Sequence, residues 1–464
     1  MVMVDLMVDK QQSGAAGKGV PAGFKLTEVG IIPEDWDVST ILNLTTNIID
    51  YRGRTPKKLG MDWGGDIVAL SAGNVKKGYI DLSSECYFGS KELYKRWMTS
   101  GHPQKGDIAF TMEAPLGNAA SIPDNNRYIL SQRTILLQID EDNFSPPLIL
   151  QALLSDRFQL YISESATGST AQGIKRSIFE KLCIALPKNI VEQKAIANAL
   201  ANIDNLINSL ERLLTKKQSI KTATMQQLLT GKTRLPQFAL RKDGTVKGYR
   251  RSEFGDIPED WETSTLDNFI SKLDAGVSVN SVNEKDIFSH GKNILKTSCV
   301  SNGYFYGHEA KSIVPDDINR AKTTPKKGCI IISRMNTPNL VGELGYVERD
   351  EPNLYLPDRL WQMNVCQEQI IDNRWLAYIL SFPLISNKLK ETATGTSNSM
   401  KNISKDSLYS LSFPRPSKDE QTAIATILSD MDKEIQTLQQ RLDKTRQLKQ
   451  GMMQELLTGK TRLI

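Results

Sequence analysis

Apolar residues recur along two stretches of the chain at intervals of four, three, four, three and four. The positions are Ile196, Leu200, Ile203, Ile207, Leu210 and Leu214 in the first, and Ile424, Leu428, Met431, Ile435, Leu438 and Leu442 in the second, each 228 residues later. That spacing is a heptad seam and predicts two long helices, with these twelve residues at a helix–helix interface. Asn189 with Glu192, and Ser417 with Glu420, fit capping boxes that start the helices just after Pro187 and Pro416. Each helix would run about 40 residues, or roughly 60 Å. Elsewhere the rhythm changes. "GDIVALSAGNV", "GDIAFTM" and "RTILLQI", then "KNILKTSCV", "GCIIISRM" and "RLWQMNV", are short apolar runs bounded by glycine and polar turns, which is how strands read. A helix-like run follows in each set, around Leu148 to Tyr161 and Arg374 to Leu389. The expected fold class is α+β, with two similar globular domains and two long helices.

The pattern is written twice. "FKLTEVGIIPEDW" at 24 to 36 returns as "YRRSEFGDIPEDW" at 249 to 261, "ATGST" at 166 to 170 as "ATGTS" at 393 to 397, and Glu192-Gln193 as Glu420-Gln421. The expected layout is a loose tail at 1–20, a globular domain at 21–187 and a helical region at 188–235. A linker with a second globular domain at 236–414 and a second helical region at 415–464 complete it. The linker decides how the helices pair: from Leu235 to Ser252 there are 17 steps, at most about 56 Å when stretched. A parallel pair would need that linker to retrace nearly a whole helix, so an antiparallel coiled coil is expected, with a pseudo-two-fold relation and one domain near each end.

"LLTGKTRL" closes both helical regions, at 228 to 235 and 456 to 463. Its Gly-Lys-Thr resembles the end of a phosphate-binding loop, but such a loop has another glycine five residues earlier and precedes a helix. Here those positions are Gln226 and Gln454, and the tripeptide follows a helix. The octapeptide therefore reads as a helix stop, with glycine in the left-handed cap. A nucleotide-binding protein using this tripeptide, and a coiled-coil scaffold, are the rival readings. The scaffold has no use for two variable, loop-rich domains.

Composition narrows the class. The formal charge of +5 is spread unevenly: 8 basic against 3 acidic residues in 188–234, but near balance in the globular segments. If nucleic acid is the partner, those domains must hold it through local clusters or with help from another subunit. Five cysteines (Cys86, Cys183, Cys299, Cys329, Cys366) without a C-x-x-C pair suggest reduced thiols in a cytoplasm, and the first ten residues read neither as a signal peptide nor as an anchor. Histidine only at 102, 290 and 308 argues against a zinc site, and no metal is expected. Glu309-x-Lys311 matches a nuclease tripeptide, but it lacks an acidic partner upstream and a counterpart in the first half. No adenine-methylation motif and no glycine-rich cofactor turn is present. No catalytic residue is assigned, and the chain reads as a binder.

Polar and basic residues on glycine-punctuated loops are the candidates for reading base edges and phosphates. In the first half they are Arg52, Arg54, Lys57, Lys58, Asn74, Lys76, Lys77, Arg133, Ser169, Thr170, Gln172, Lys175 and Arg176. In the second half they are Arg334, Asn336, Asn339, Arg359, Thr396, Asn398 and Lys401.

The ordered series T-E-x-G-x-I-P-x-D-W, variable domain, A-T-G-S-T, proline, E-Q, long helix and L-L-T-G-K-T-R-L, given twice, resembles the specificity subunit of type I restriction-modification enzymes. The second copy departs slightly, with "SEFGDIP" for "TEVGIIP" and "ATGTS" for "ATGST". The resemblance implies two target recognition domains, each reading half of a bipartite double-stranded DNA site, and no cofactor in this chain. It also implies two methyltransferase subunits that bind S-adenosylmethionine for adenine methylation, and two motor-nuclease subunits that use ATP and magnesium.

Overall fold

The computed structural model of the chain describes residues 20–168, 172–397 and 400–463, except for the side chains of residues 396 and 397. Most of the tail expected at 1–20 lies outside them. The chain divides into two compact units: Met1–Arg212 with Gln440–Ile464, and Leu213–Gln439.

The first unit is organised by an antiparallel sheet of four strands, in the order Thr45–Asp50, Thr134–Ile139, Ile108–Thr111, Ala119–Ser121. Register pairs Ile135 with Phe110 and Leu136 with both Ala109 and Ile49. Because alternate side chains leave opposite faces, Ile108, Phe110, Ile135 and Leu137 enter one core while Ile49, Ala109, Ala120 and Leu136 enter another. Both faces are covered, so "TILLQI" is a continuous apolar run rather than an alternating one. Helices Pro146–Leu154 and Asp156–Ser165 lie on the first core. Ser155 ends one and begins the next, its hydroxyl accepting from the Phe158 amide.

The second unit repeats this plan on a six-stranded sheet. The strand Ile270–Ala275 neighbours Leu360–Val365, then Ile330–Ser333, Leu344–Tyr346, Gly303–Phe305 and Val300–Ser301. Ile330, Ile332, Trp361 and Met363 enter one core, and Ile331 and Leu360 the other.

The long helices run Ile190–Leu229 and Lys418–Leu456, 40 and 39 residues. They pair antiparallel in each unit. In the first, Glu192, Asp204 and Glu211 meet Arg462, Lys449 and Arg446, each at 2.6 Å. In the second, Lys217, Lys221 and Arg234 meet Glu434, Asp432 and Glu420 at 2.6, 2.5 and 2.6 Å. The apolar seam has two parts. Ile196, Leu200, Ile424 and Leu428 are fully buried in the domain cores, so the start of each stripe holds its own globular domain. Ile203, Leu210 and Leu442 are also buried, whereas Ile207, Leu214, Met431, Ile435 and Leu438 are half-buried.

The capping boxes form only by half. Asn189 Oδ1 accepts from the Val191 amide at 2.9 Å and Ser417 Oγ from the Glu420 amide at 3.4 Å. Neither glutamate returns to its cap. Glu420 takes Arg234 through Nε and Nη2 at 2.6 and 2.7 Å, and Arg234 also reaches Asp260 at 2.8 and 3.2 Å. Arg462 holds Glu192 and Asp35 in the same way. The adjoining glutamines tie each helix to its domain: Gln193 donates to the Pro187 carbonyl and accepts from the Ser145 amide, and Gln421 does the same with Pro416 and Asp372.

The octapeptide glycines sit at φ +70° (Gly231) and +69° (Gly459), just past the last helical turn. Each is pressed on the proline and tryptophan of an I-P-E-D-W motif: a Cβ at Gly459 would lie 2.3 Å from Pro33 Cγ, and one at Gly231 would lie 2.5 Å from Pro258 Cγ. The octapeptide is a stop and also a clasp, since each unit is closed by the octapeptide of the opposite repeat.

Candidate nucleic-acid interface

At the end of the first unit's sheet the strand ladder continues into three segments far apart in sequence. The Met112 amide donates to the Arg133 carbonyl at 2.9 Å and the Ile174 amide to the Met112 carbonyl at 3.0 Å, while Glu113 and Gly173 form a bridge. These bonds bring Arg133, Lys175 and Arg176 beside Arg52, around an open depression of about 420 Å³ that also includes Glu113 and Thr167. Four of the candidates chosen from sequence thus share one corner.

Each arginine there faces a carboxylate. Asp50 takes Arg52 Nε and Nη2 at 3.0 and 2.8 Å, and its Oδ1 also accepts the Arg52 amide at 3.0 Å. Burial pushes the Asp50 carboxyl up, but the hydrogen bonds from Arg52 outweigh it and hold it below the usual carboxylate range. Arg176 Nε meets Glu180 at 2.5 Å, one helical turn on. Glu113 stands between Arg52 and Arg133, at 4.0 and 3.8 Å, which is charge pairing without a hydrogen bond. Arg133 is exposed and sits at φ +67°, left-handed backbone that non-glycine residues rarely adopt. Lys175 is exposed and begins the short helix Arg176–Phe179.

The second unit makes the same corner from equivalent segments. The Arg334 amide donates to the Arg359 carbonyl at 3.0 Å and the Ile403 amide to the Arg334 carbonyl at 2.9 Å. Arg334 lies over the Trp361 ring at 5.2 Å, with its Nε buried and unpartnered. Arg359 is exposed. Lys401, on a strand paired with Met335–Asn336, donates to the Gly395 carbonyl at 3.1 Å. Asn336 is occupied locally, donating to Ser333 Oγ at 3.2 Å and accepting from the Thr337 amide at 2.9 Å.

Other candidates take different places. Asn74 must be corrected: it is 0% exposed. Its Oδ1 accepts from the Ser71 amide and hydroxyl, and its Nδ2 donates to the Asp81 and Glu85 carbonyls. It is the clamp of its own loop and has no group left for a base. Arg54 is committed to the Trp97 carbonyl and lies over the Tyr51 ring at 4.7 Å. Lys58 donates to the Gly53 carbonyl at 2.6 Å beside exposed Lys57. Lys76 and Lys77 flank a turn closed by the Lys76 amide on the Tyr79 carbonyl at 3.0 Å. Gln172 and Asn339 are exposed. Ser169, Thr170, Asn398 and the side chain of Thr396 lie outside the described residues. The sequence reading missed Asp50, which orients Arg52, and Glu113, which stands between Arg52 and Arg133. The one signal for Asp50 was its place two residues before Arg52.

Among the described residues no group of three or more histidine, cysteine, aspartate or glutamate side chains is placed to hold a metal, and no helix is long and apolar enough to cross a membrane.

A family model described as the type I restriction modification DNA specificity domain matches the chain twice, over residues 33–222 and 258–446. The putative type I restriction enzyme MjaX specificity subunit of Methanocaldococcus jannaschii is 26% identical over 453 residues, covering 95% of this chain and 97% of the relative. The MjaVIII specificity subunit of the same organism is 27% identical over 442 residues, covering 93% and 94%. The crystal structure of a type I restriction-modification S subunit from M. genitalium shares the fold at a TM-score of 0.57 and 16% identity, covering 91% of this chain and 96% of the other.

Proposed function

Because this chain belongs to the type I restriction-modification DNA specificity family, we propose that the polar corner of each unit is the surface that reads one half of its bipartite DNA target. The chain is the DNA-recognition subunit of such a system and is not itself the catalyst. The observation that carries the assignment of the surface is the recurrence. In both units the same backbone bonds gather the same three segments, at Met112, Arg133 and Ile174 and at Arg334, Arg359 and Ile403. Each time cationic side chains are gathered: Arg133, Lys175 and Arg176, all exposed, in the first unit, and exposed Arg359 with half-buried Arg334 and Lys401 in the second.

The domains have no net positive field, so phosphate neutralisation falls largely to partner subunits that close around the duplex, leaving these corners to base edges. In this reading two methyltransferase subunits supply S-adenosylmethionine chemistry and two motor-nuclease subunits supply ATP- and magnesium-dependent cleavage, in the cytoplasm. The test is selection of binding sites from randomised duplexes by the chain assembled with its methyltransferase partners. Arg133→Ala should relax one half-site and Arg359→Ala the other. A variant pair that leaves both half-sites and the affinity unchanged would remove these corners from the DNA.

A further inference from the structure

The two corners are built alike in backbone but not in side chains, and the difference bears on which base is read. In the first unit Asp50 and Arg52 form a closed pair at the end of the strand Thr45–Asp50, with side chains only 12% and 21% exposed. Asp50 occupies the Nε and Nη2 edge of the guanidinium. A guanidinium carries five N–H donors, so both hydrogens on Nη1 and one on Nη2 remain, as an end-on fork. Nη1 lies 4.0 Å from Glu113 Oε1, beyond hydrogen-bond reach, which leaves that fork unspent. Arg52 lines the depression shared with Arg133, Lys175 and Arg176.

A planar two-donor fork of fixed direction matches one base edge in the major groove. Guanine offers two acceptors, O6 and N7, side by side, whereas adenine sets an amino donor beside N7 and cytosine presents a donor. Fixing the plane before binding matters as much as the match, because an unsupported arginine would lose its rotamer freedom on the DNA, and here that loss has occurred on folding. The equivalent positions in the second unit are Ala275 and Val277, with Met335 at the place of Glu113, so that corner has no such fork.

Resting on the reading of the corners as DNA-facing, we infer that Arg52 reads a guanine in the half-site of the first unit, that Asp50 is its positioning residue, and that the second unit has no counterpart of this reader.

The experiment uses the full chain assembled with its methyltransferase partners. The first unit's half-site is identified as the one altered by Arg133→Ala. Selection by the unaltered protein should return a guanine there, and 7-deazaguanine at that position should weaken binding. Arg52→Lys keeps the charge and loses the fork. It should reduce the preference for guanine by roughly 5- to 150-fold without changing the salt dependence or the other half-site. Asp50→Asn should loosen the same preference at the same position, with thermal unfolding followed in parallel. A merely structural role would lower stability and affinity without changing which base is selected. If Arg133→Ala weakens binding but Arg52→Lys keeps the guanine preference, this inference falls and the reading of the corner stands. If Arg133→Ala leaves DNA binding untouched, the reading falls, and this inference with it.

Discussion

Replacing Arg234 with alanine tests what the repeated octapeptide does. The Arg234 side chain is 6% exposed and its partner Glu420 2%. Four hydrogen bonds between 2.6 and 3.2 Å join it to Glu420 and Asp260, and its guanidinium stands 5.9 Å from the Trp261 ring. Removing it strands the Glu420 carboxylate in the interior, with the Trp261 indole N–H at 3.2 Å as its remaining side-chain donor. Breaking a buried pair from one side costs about 3–5 kcal/mol, most of it for the charge left behind. For a unit of this size that corresponds to a fall in melting temperature of about 6–20 °C. Arg462 makes the same contacts with 29% of its side chain exposed, so solvent reaches the stranded charge and Arg462→Ala should cost less. Thermal unfolding of the full chain, with hydrogen exchange to locate the loss, is the assay. Arg234→Ala should deprotect the second unit and Arg462→Ala the first. Adding Glu420→Gln to Arg234→Ala should recover part of the loss, because the stranded group is then neutral. A melting temperature within about 2 °C of the parent, or no recovery in the double variant, would refute the account of the clasp as a desolvated ion pair.

Gly459→Ala combines a left-handed backbone, costing about 1 kcal/mol, with a Cβ 2.3 Å from Pro33 Cγ and 3.2 Å from Trp36 Cε2, so about 2–4 kcal/mol in all is expected in denaturant unfolding. Lys232→Ala should leave ATP binding by the isolated chain unchanged, and a nucleotide affinity that vanished in this variant would restore the phosphate-loop reading. Burial raises the Asp260 carboxyl, but hydrogen bonds from Arg234 and Lys247 outweigh this and hold it below its ordinary value. Its contribution is therefore present above about pH 4 and is lost as pH falls through the lower folded value. Asp260→Asn should flatten that acid limb in a pH series of melting temperatures, and an unchanged limb would dismiss the linkage.

The helices were legible because their signals are local: the seam, the caps and the stop lie within a few turns of one another. Proximity in sequence could not show that Ile196 and Ile424 face domain cores, or that Glu192 and Glu420 leave their capping boxes for an arginine of the opposite repeat. The arginines that take the two glutamates lie 186 and 270 residues away, and the core residues that bury the isoleucines are spread along each globular domain. The corners were half legible. Arginine and lysine on loops can be marked from sequence, but the bonds that select Arg133, Lys175 and Arg176 and set Arg54 aside are made across the sheet end. Asn74 shows why residue type misleads here, since an asparagine beside a glycine suits a base contact and a loop clamp equally well.

The cross-repeat clasp also imposes an order on biosynthesis. The core of the first unit includes Leu456, and its Glu192 waits for Arg462. When residue 212 leaves the ribosome, Leu456 and Arg462 are still 244 and 250 codons away, which at about 5–20 residues per second is roughly 12–50 s. The second unit ends at Gln439, and its core cluster reaches no further than Met431. The domain made first is thus the domain finished last, and in the interval it holds an unfilled apolar seat and an unpaired glutamate. The first half of the nascent chain is therefore expected to need chaperone protection for longer than the second. Slow codons between the two repeats would lengthen the exposure of the half already made.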